Sequence, residues 1–243
     1  MKEEQLIKSP DRVKDVGEVF TPRRIVELML DQPEITAKIN DLSATFLEPS
    51  AGEGAFLVEI LRRKMDVALQ SSHTVQEYGD NALIALSSLY GIEFMEDNVE
   101  MLVMNMNEQF LRSYYQGLHQ LQPEEDVSEL TDGNVLKSAK TLIQANMAQG
   151  NALTQLDNQG NPIMFSEWKL LGKQHGFLYV QRLEYTFTAI IEHAQEPVPE
   201  TPYEEVSLFA PPEEKKSSVT REYAPCRLVD VYQTQSQNPQ TDC

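Results

Sequence analysis

The sequence predicts an α/β domain in which helices are layered against a buried sheet. From about residue 15 to residue 187, short apolar strand candidates alternate with longer segments of helical periodicity. The first strand candidate ends in an acidic residue and a glycine-punctuated turn that leads into a helix. Doubly wound folds place their ligand sites at strand-to-helix turns of this kind.

Capping residues, apolar runs and turn residues define the individual elements. Thr21 and Pro22 open a first helix, which Gln32-Pro33 stops. A buried strand follows, then a tight loop over residues 48–54. The predicted strands cover residues 44–47, 89–93 and part of 145–153; the helices cover residues 55–64, a further excursion within 65–86, and about 96–116.

After the third strand the pattern changes to that of a β-hairpin followed by a polar tail. Two apolar stretches, residues 163–171 and 177–187, flank the turn-like sequence Gly-Lys-Gln-His-Gly. The remainder is acidic and rich in Pro, Glu, Ser and Lys, so we expect it to be mostly disordered. The predicted division is a folded domain, residues 1–195, and a tail, residues 196–243.

Composition narrows the functional classes. The 243-residue chain has no run of eighteen apolar residues, and charges and a proline occupy the place of a signal peptide's apolar stretch. We therefore expect a cytoplasmic protein without membrane contact. Cys226, Cys243 and the scattered histidines lack ligand spacing, so no metal site is expected.

The formal net charge of −18 argues against tight binding of bare DNA by this chain alone. A local basic patch, another subunit or a protein partner would have to compensate. The candidates for a basic patch are Lys8, Arg12, Lys14, Arg23, Arg24 and residues 62–64. These residues could instead form solvated helix faces.

The strongest local signal is FLEPSAGEGAF, residues 46–56. Gly52 and Gly54 permit positive φ and close approach of a ligand, and the following helix presents free N–H groups. Glu93 ends the next strand, where an acid can accept hydrogen bonds from ribose hydroxyls. The alternatives are an ordinary strand-to-helix connection and a solvated loop charge.

Four segments, VGEVFTP, EPSAGEGAF, YGIE and GNAL, occur in this order over residues 16–153. They resemble the motifs of adenine-N6-specific DNA methyltransferases, especially the modification subunits of type I restriction systems. The resemblance implies a Rossmann-like S-adenosylmethionine-dependent methyltransferase fold. The cofactor-binding residues that it implies are Phe20, Thr21, Glu48, Pro49, Ser50, Gly52, Gly54, Glu93 and Asn151.

The resemblance also implies a role for individual residues. Phe20 and Thr21 would contact the methionine part of the cofactor, and Glu93 the ribose. Asn151 stands where the family has an aspartate that receives the adenine amine. Its amide oxygen can still accept that bond, at a cost of about 1 kcal/mol relative to a charged acceptor.

The family's catalytic element, a strand ending in Asn/Asp-Pro-Pro-Tyr/Phe that grips the flipped adenine, has no full match. Asn161 and Pro162 supply its first two residues and are the candidate catalytic pair, although a polar turn precedes them. Ala210-Pro211-Pro212-Glu213 lacks both the amide and the ring.

Two further features carry alternative interpretations. Val206, Leu208 and Phe209 resemble a peptide that binds the bacterial sliding clamp, or they dock on the protein's own core. Trp168 could stack on an extruded base or simply pack within an amphipathic strand.

These observations predict an S-adenosylmethionine-dependent adenine-N6 DNA methyltransferase, or a subunit of one, of prokaryotic or phage type. DNA would be bound with help from another subunit. The alternative is a catalytically deficient relative that binds the cofactor and acts through protein partners in restriction or phage defence.

Overall fold

The computed structural model describes residues 9, 12, 14, 20–195 and 219–233. Within these residues the helices are α1 (Arg23–Leu30), α2 (Pro33–Ile39), α3 (Ala55–Gln70), α4 (Val75–Ser87), α5 (Glu96–Leu121), α6 (Val127–Leu130), α7 (Gly133–Asn146) and α8 (Phe187–Gln195). The strands are β1 (Phe46–Glu48), β2 (Leu89–Glu93), β3 (Met147–Gln149), β4 (Met164–Gln174), β5 (Phe177–Thr186), β6 (Val219–Glu222) and β7 (Cys226–Arg227). A 3₁₀-helix covers Leu228–Gln233.

Strands β1, β2 and β3 form a parallel sheet with β2 in the centre. The predicted α/β class is therefore confirmed, as are the three strands, of which β2 has the predicted bounds. The register pairs Glu48 with Gly91 and Glu93 with Gln149. Because parallel strands end at the same edge, the acids that close β1 and β2 lie on neighbouring strands at that edge.

Helices α3, α4, α5 and α7 build the main core together with the sheet. Leu57, Leu83, Leu102 and Leu142 are fully buried in it, one from each helix. Gly91 allows this layer to approach β2 closely, since a Cβ there would lie 2.9 Å from Leu57 Cδ1. Close packing of this kind leaves no room for a side chain on that face of β2.

Lys64 lies inside this helical layer and is fully buried. Its Nζ donates to the carbonyl oxygens of Asp41 (3.0 Å), Leu42 (3.0 Å) and Ala44 (2.6 Å), and to Ser88 Oγ at 2.8 Å. Burial lowers the pKa of this lysine to about 8. Lys64 thus fastens the segment before β1 to the start of β2 and is a structural residue.

The predicted β-hairpin is confirmed: β4 and β5 pair antiparallel and cover the opposite face of the parallel sheet. Tyr90 from β2 donates its hydroxyl to the Ser166 carbonyl at 2.9 Å and meets the Phe165 ring edge-on. Trp168 is buried and donates Nε1–H to Asn146 Oδ1 at 3.0 Å. The packing interpretation of Trp168 is therefore correct.

The prediction of a disordered tail is wrong for residues 219–233. Strands β6 and β7 both pair with β5, and the 3₁₀-helix buries Leu228 and Val231. Ser138 in α7 donates to the Val229 carbonyl at 2.8 Å. A few apolar residues are enough to fix residues 219–233 in place, because they pack on a core that the rest of the domain already forms. Val206, Leu208 and Phe209 lie outside the described residues.

Among the described residues, no helix combines the length and apolar character that a membrane span requires.

Candidate functional site

The loop after β1 has the backbone that its glycines predict. Gly52 and Gly54 have φ values of +53° and +92°. The Ala51 amide donates to the Ile92 carbonyl at 2.9 Å and ties the loop to β2. A Cβ at Gly54 would lie 2.5 Å from Leu102 Cδ1, whereas a Cβ at Gly52 would meet nothing within 4 Å. Gly54 thus serves packing, and Gly52 leaves the backbone open to a ligand.

An open cleft of about 700 Å³ begins at this loop and continues between α3 and α5. The structure brings the segment before α1 to the same cleft, although it is remote from the loop in sequence. The predicted cofactor-binding residues that line the cleft are Phe20, Thr21, Glu48, Ser50, Gly52 and Gly54. Pro49, Glu93 and Asn151 do not line it.

Glu48 is the polar group of the cleft with the most unusual environment. Its Oε2 is buried and has no hydrogen-bond partner. Burial raises the pKa of this carboxyl to about 8, and the nearby Glu93 carboxylate raises it further, against the opposing effect of the Leu57 backbone N–H. An unsatisfied carboxylate oxygen at a cleft wall can accept a hydrogen bond from a ligand ammonium group.

Glu93 is buried behind the loop, where it organises the backbone. Its Oε2 accepts from the Gly52 amide at 2.8 Å, and Oε1 accepts from the Met95 amide at 2.9 Å and Asn98 Nδ2 at 3.4 Å. A carboxylate has about four lone-pair sites, so capacity remains for a ligand hydroxyl. Sequence reasoning missed this second role of Glu93 as the support of the loop.

The segment that resembles the adenine-binding motif follows β3 beside β2, as predicted. The Gly150 amide donates to the Glu93 carbonyl at 2.9 Å. The Asn151 side chain, however, serves its own turn: Oδ1 accepts from the amides of Leu153 (2.9 Å) and Thr154 (3.3 Å). The Asn151 Oδ1 atom therefore already accepts two hydrogen bonds within its turn. Its contact with the adenine of a cofactor stays a prediction.

The candidate catalytic pair lies in an exposed turn after β3. Asn161 donates its backbone N–H and its Nδ2 to the two carboxylate oxygens of Asp157, at 2.8 Å and 3.2 Å. Pro162 forms a bridge with Leu156. Because β3 flanks β2 on the side away from β1, the structure does not bring Asn161 or Pro162 to the cleft.

The basic residues considered for a DNA-binding patch are largely paired with acids. The short ion pairs are Arg12–Asp97 (2.6 Å), Arg23–Glu27 (2.8 Å), Arg62–Glu59 (2.7 Å), Arg62–Asp66 (2.9 Å) and Arg63–Asp31 (2.7 Å). Lys64 is buried, and Lys8 lies outside the described residues. The interpretation as a solvated helix face is thus favoured over a phosphate-binding patch for Arg62 and Arg63.

Sequence reasoning also missed an open edge on β1. Among the described residues no strand pairs with β1 on the side away from β2. The Phe46 amide donates to the Ser88 carbonyl, so by alternation the N–H and C=O of Leu47 point to the open side. An apolar groove of about 340 Å³ runs along this edge, and its walls include Phe46, Leu47, Tyr90, Phe165, Phe187 and Ile190.

A family model described as N-6 DNA Methylase matches residues 4–113. The matched range contains β1, the glycine loop, β2 and most of α5, and it ends before β3. No curated protein and no solved structure matches the chain. Residues 4–113, which build the loop and most of the cleft wall, are thus similar to the N-6 DNA methylase family.

Proposed function

We propose that the chain binds S-adenosylmethionine in the cleft and forms the cofactor-binding part of an adenine-N6 DNA methyltransferase. The observation that carries this proposal is that Phe20 and Thr21 line one cleft with the loop after β1, whose Gly52 amide donates to Glu93. Members of the N-6 DNA methylase family generally use this cofactor.

The groups around the loop fit the parts of S-adenosylmethionine. The unpartnered Oε2 of Glu48 suits the ammonium group of the methionine part. The open backbone at Gly52 allows close approach of the ligand, and Glu93 supports that backbone from behind. A contact between the remaining lone pairs of Glu93 and ribose hydroxyls stays a prediction, because Glu93 does not line the cleft. When bound, the cofactor supplies an electrophilic methyl group for transfer to a nitrogen. The role of the chain is to hold and orient it.

The same observations favour a second component for the DNA. A net charge of −18 and the pairing of Arg12, Arg23, Arg62 and Arg63 with acids leave little attraction for phosphates. A strand added parallel to β1 at its open edge would end beside Glu48 and the loop. Such a strand could present groups that hold the target base. The candidate residues of this chain for that role, Asn161 and Pro162, do not line the cleft.

Titration calorimetry with the full chain tests cofactor binding. We expect saturable binding of S-adenosylmethionine, and Glu93→Ala should weaken it by roughly 1.5–3 kcal/mol, because it removes the charged hydrogen bond that holds the Gly52 backbone at the cleft. Glu96→Ala, an exposed acid at the start of α5, is the matched control and should leave the affinity unchanged. Absence of binding at millimolar cofactor would refute the proposal.

A second candidate function is favoured by the open β1 edge and by the remote position of Asn161. In this alternative the chain binds the cofactor, transfers no methyl group and acts through a protein partner. Transfer of tritiated methyl from the cofactor to unmethylated DNA separates the two candidates. Transfer that requires a co-purifying protein supports the first, whereas cofactor binding without transfer in that complex supports the second.

A further inference from the structure

A second cavity, of about 480 Å³, shares no lining residue with the cofactor cleft. It lies between the first turns of α4 and α7, the start of β5 and the segment around β7. Its polar wall includes Asp80, Tyr114 and Asp132, and its apolar wall includes Val75, Val135 and Phe177. The function proposed above makes no use of this cavity.

Asp80 is a buried carboxyl group on the polar wall. Only 6% of the residue is exposed, and within the described part of the chain no hydrogen bond reaches its carboxylate. Burial raises the pKa of Asp80 to about 6; Lys173 counteracts this effect and Glu77 adds to it. A carboxyl group in this state gains from a ligand that brings both hydrogen-bond donors and positive charge.

Tyr114 supplies an independent sign of a missing ligand. The residue has no exposed surface, and its hydroxyl has no hydrogen-bond partner. The Asp132 backbone N–H approaches the oxygen and opposes the rise of the tyrosine pKa, without completing a hydrogen bond. The ring is held between Tyr78 and Phe110, at centroid distances of 5.5 Å and 5.8 Å. A buried hydroxyl without a hydrogen bond costs about 1–3 kcal/mol of folding free energy. A ligand that hydrogen-bonds to Tyr114 in the cavity would remove this cost.

Gly79 explains why space exists in front of this hydroxyl. It lies inside α4, where glycine costs about 1 kcal/mol relative to alanine. A Cβ there would lie 3.1 Å from Val135 Cγ2 and 3.8 Å from the Tyr114 hydroxyl. The glycine therefore keeps the cavity open at the expense of helix propensity.

The charge balance of the cavity selects the class of ligand. Arg227 is neutralised by Asp230, with Nε 2.6 Å from the carboxylate. Asp132 caps α7 by accepting from the Asn134 amide, and Lys173, which acts on Asp80 electrostatically, forms no ion pair with it among the described residues. The polar wall is thus negative and rich in acceptors, while the opposite wall is apolar.

We propose that this cavity binds a small organic cation in which a primary ammonium group is attached to a short alkyl chain. The ammonium group would be shared by the Asp80 carboxylate and the Tyr114 hydroxyl. The alkyl chain would lie against Val75, Val135 and Phe177.

Calorimetric titration of the full chain with n-butylammonium tests the proposal, with n-butanol and butyrate as neutral and anionic probes of the same length. We expect one saturable site for the cation and at least about ten-fold weaker binding of the other probes. Asp80→Asn should weaken binding at least about ten-fold, and Tyr114→Phe roughly three- to ten-fold. Glu34→Gln, which removes the same charge at an exposed position, should have no effect.

Two further measurements separate the cavity from general electrostatics and from misfolding. Gly79→Ala should weaken binding, because it adds a methyl group beside the Tyr114 hydroxyl. That methyl group would lie 3.1 Å from Val135 Cγ2, so the melting temperature of the variant is measured together with its affinity. Asp80→Asn should leave the affinity for S-adenosylmethionine unchanged. The proposal is overturned if n-butylammonium shows no saturable site, or if Asp80→Asn and Glu34→Gln weaken its binding equally.

Discussion

Two turns at the carboxyl edge of the sheet contain motif residues, but they differ in how their polar groups are used. In the turn after β1, residues 48–54, Glu48 Oε2 has no partner and Gly52 presents open backbone. In the turn after β3, residues 151–162, the side chains of Asn151 and Asn161 are bonded to their own neighbours. The first turn therefore leaves polar groups open to a ligand, whereas the polar side chains of the second turn form hydrogen bonds within the turn itself.

The difference teaches that residue identity and residue availability are separate questions. A motif indicates which chemistry a side chain can perform, whereas its hydrogen bonds decide whether it is available for that chemistry. Glu93 combines the two roles, because it supports the loop through Gly52 and retains acceptor capacity. The variants below test the contrast between the two turns.

The largest effect is expected from Gly54→Val. The position has a φ of +92°, and a Cβ there would lie 2.5 Å from Leu102 Cδ1. A β-branched residue is strained in this conformation and also collides with the core, so we expect a loss of about 3 kcal/mol or more in the free energy of unfolding. Cofactor binding should be lost with it. Urea unfolding and calorimetry measure the two effects.

Gly52→Ala is the control for that variant. Its φ of +53° costs roughly 1–2 kcal/mol for a residue with a Cβ, but no atom lies within 4 Å of that Cβ. The protein should fold, and its affinity for S-adenosylmethionine should fall because the methyl group occupies space meant for the ligand. An unchanged affinity would show that the loop is not the cofactor contact.

Glu48→Gln should show a stability effect that depends on pH. The pKa of Glu48 in the folded protein, about 8, lies above its ordinary value of 4.5. The stability linked to its protonated form is therefore complete below pH 4.5 and is lost as pH rises through about 8. Glutamine avoids that loss, so the variant should be more stable by roughly 1–3 kcal/mol at pH 8, after allowance for partial exposure.

The same variant should bind S-adenosylmethionine more weakly, because a neutral amide replaces a carboxyl group that the ligand ammonium would hold in its charged form. Unfolding measurements at pH 4, 6 and 8 check the first expectation, and calorimetry checks the second. A stability gain that is equal at all pH values would mean that Glu48 does not titrate as a buried carboxyl.

Periodicity and turn residues were sufficient to predict the parallel sheet and the hairpin, since both signals are local. The order of residues 219–233 was not predictable from local sequence, because Leu228 and Val231 are buried by contacts with a core that is remote in sequence. Lys64 is among the basic residues considered for a patch or a solvated helix face, yet its spacing from Leu57 and Leu61 places it on the buried stripe of α3. That spacing was the available signal.

Within the candidate site, the loop and its glycines were predictable because each needs a specific backbone conformation. The hydrogen bonds of Asn151 and Asn161 were not, because short polar side chains bond to nearby backbone in ways that depend on the final path of the turn. The open edge of β1 is a property of the sheet and has no local signature.

A small effect is expected from Asn151→Asp. A carboxylate at this position can accept the same hydrogen bonds from Leu153 and Thr154, so the turn should be kept or slightly stabilised. Because the side chain remains engaged, the affinity for S-adenosylmethionine should change by less than about two-fold. Tightening by several-fold would mean that the side chain leaves its turn and reaches the adenine ring.

The smallest effect is expected from Asn161→Ala. The variant removes the exposed Nδ2 contact with Asp157 at 3.2 Å, whereas the backbone amides of Gln159 and Asn161 still donate to Asp157. The turn should therefore persist, with a change in the free energy of unfolding within about 0.5 kcal/mol, as for other surface substitutions. Cofactor affinity should be unchanged, and so should methyl transfer in any complex that supports it. If Asn161→Ala abolishes transfer while unfolding and cofactor binding stay the same, Asn161 must leave Asp157 to hold the target base. The second turn would then be open to a ligand after all, and the contrast between the two turns would fail.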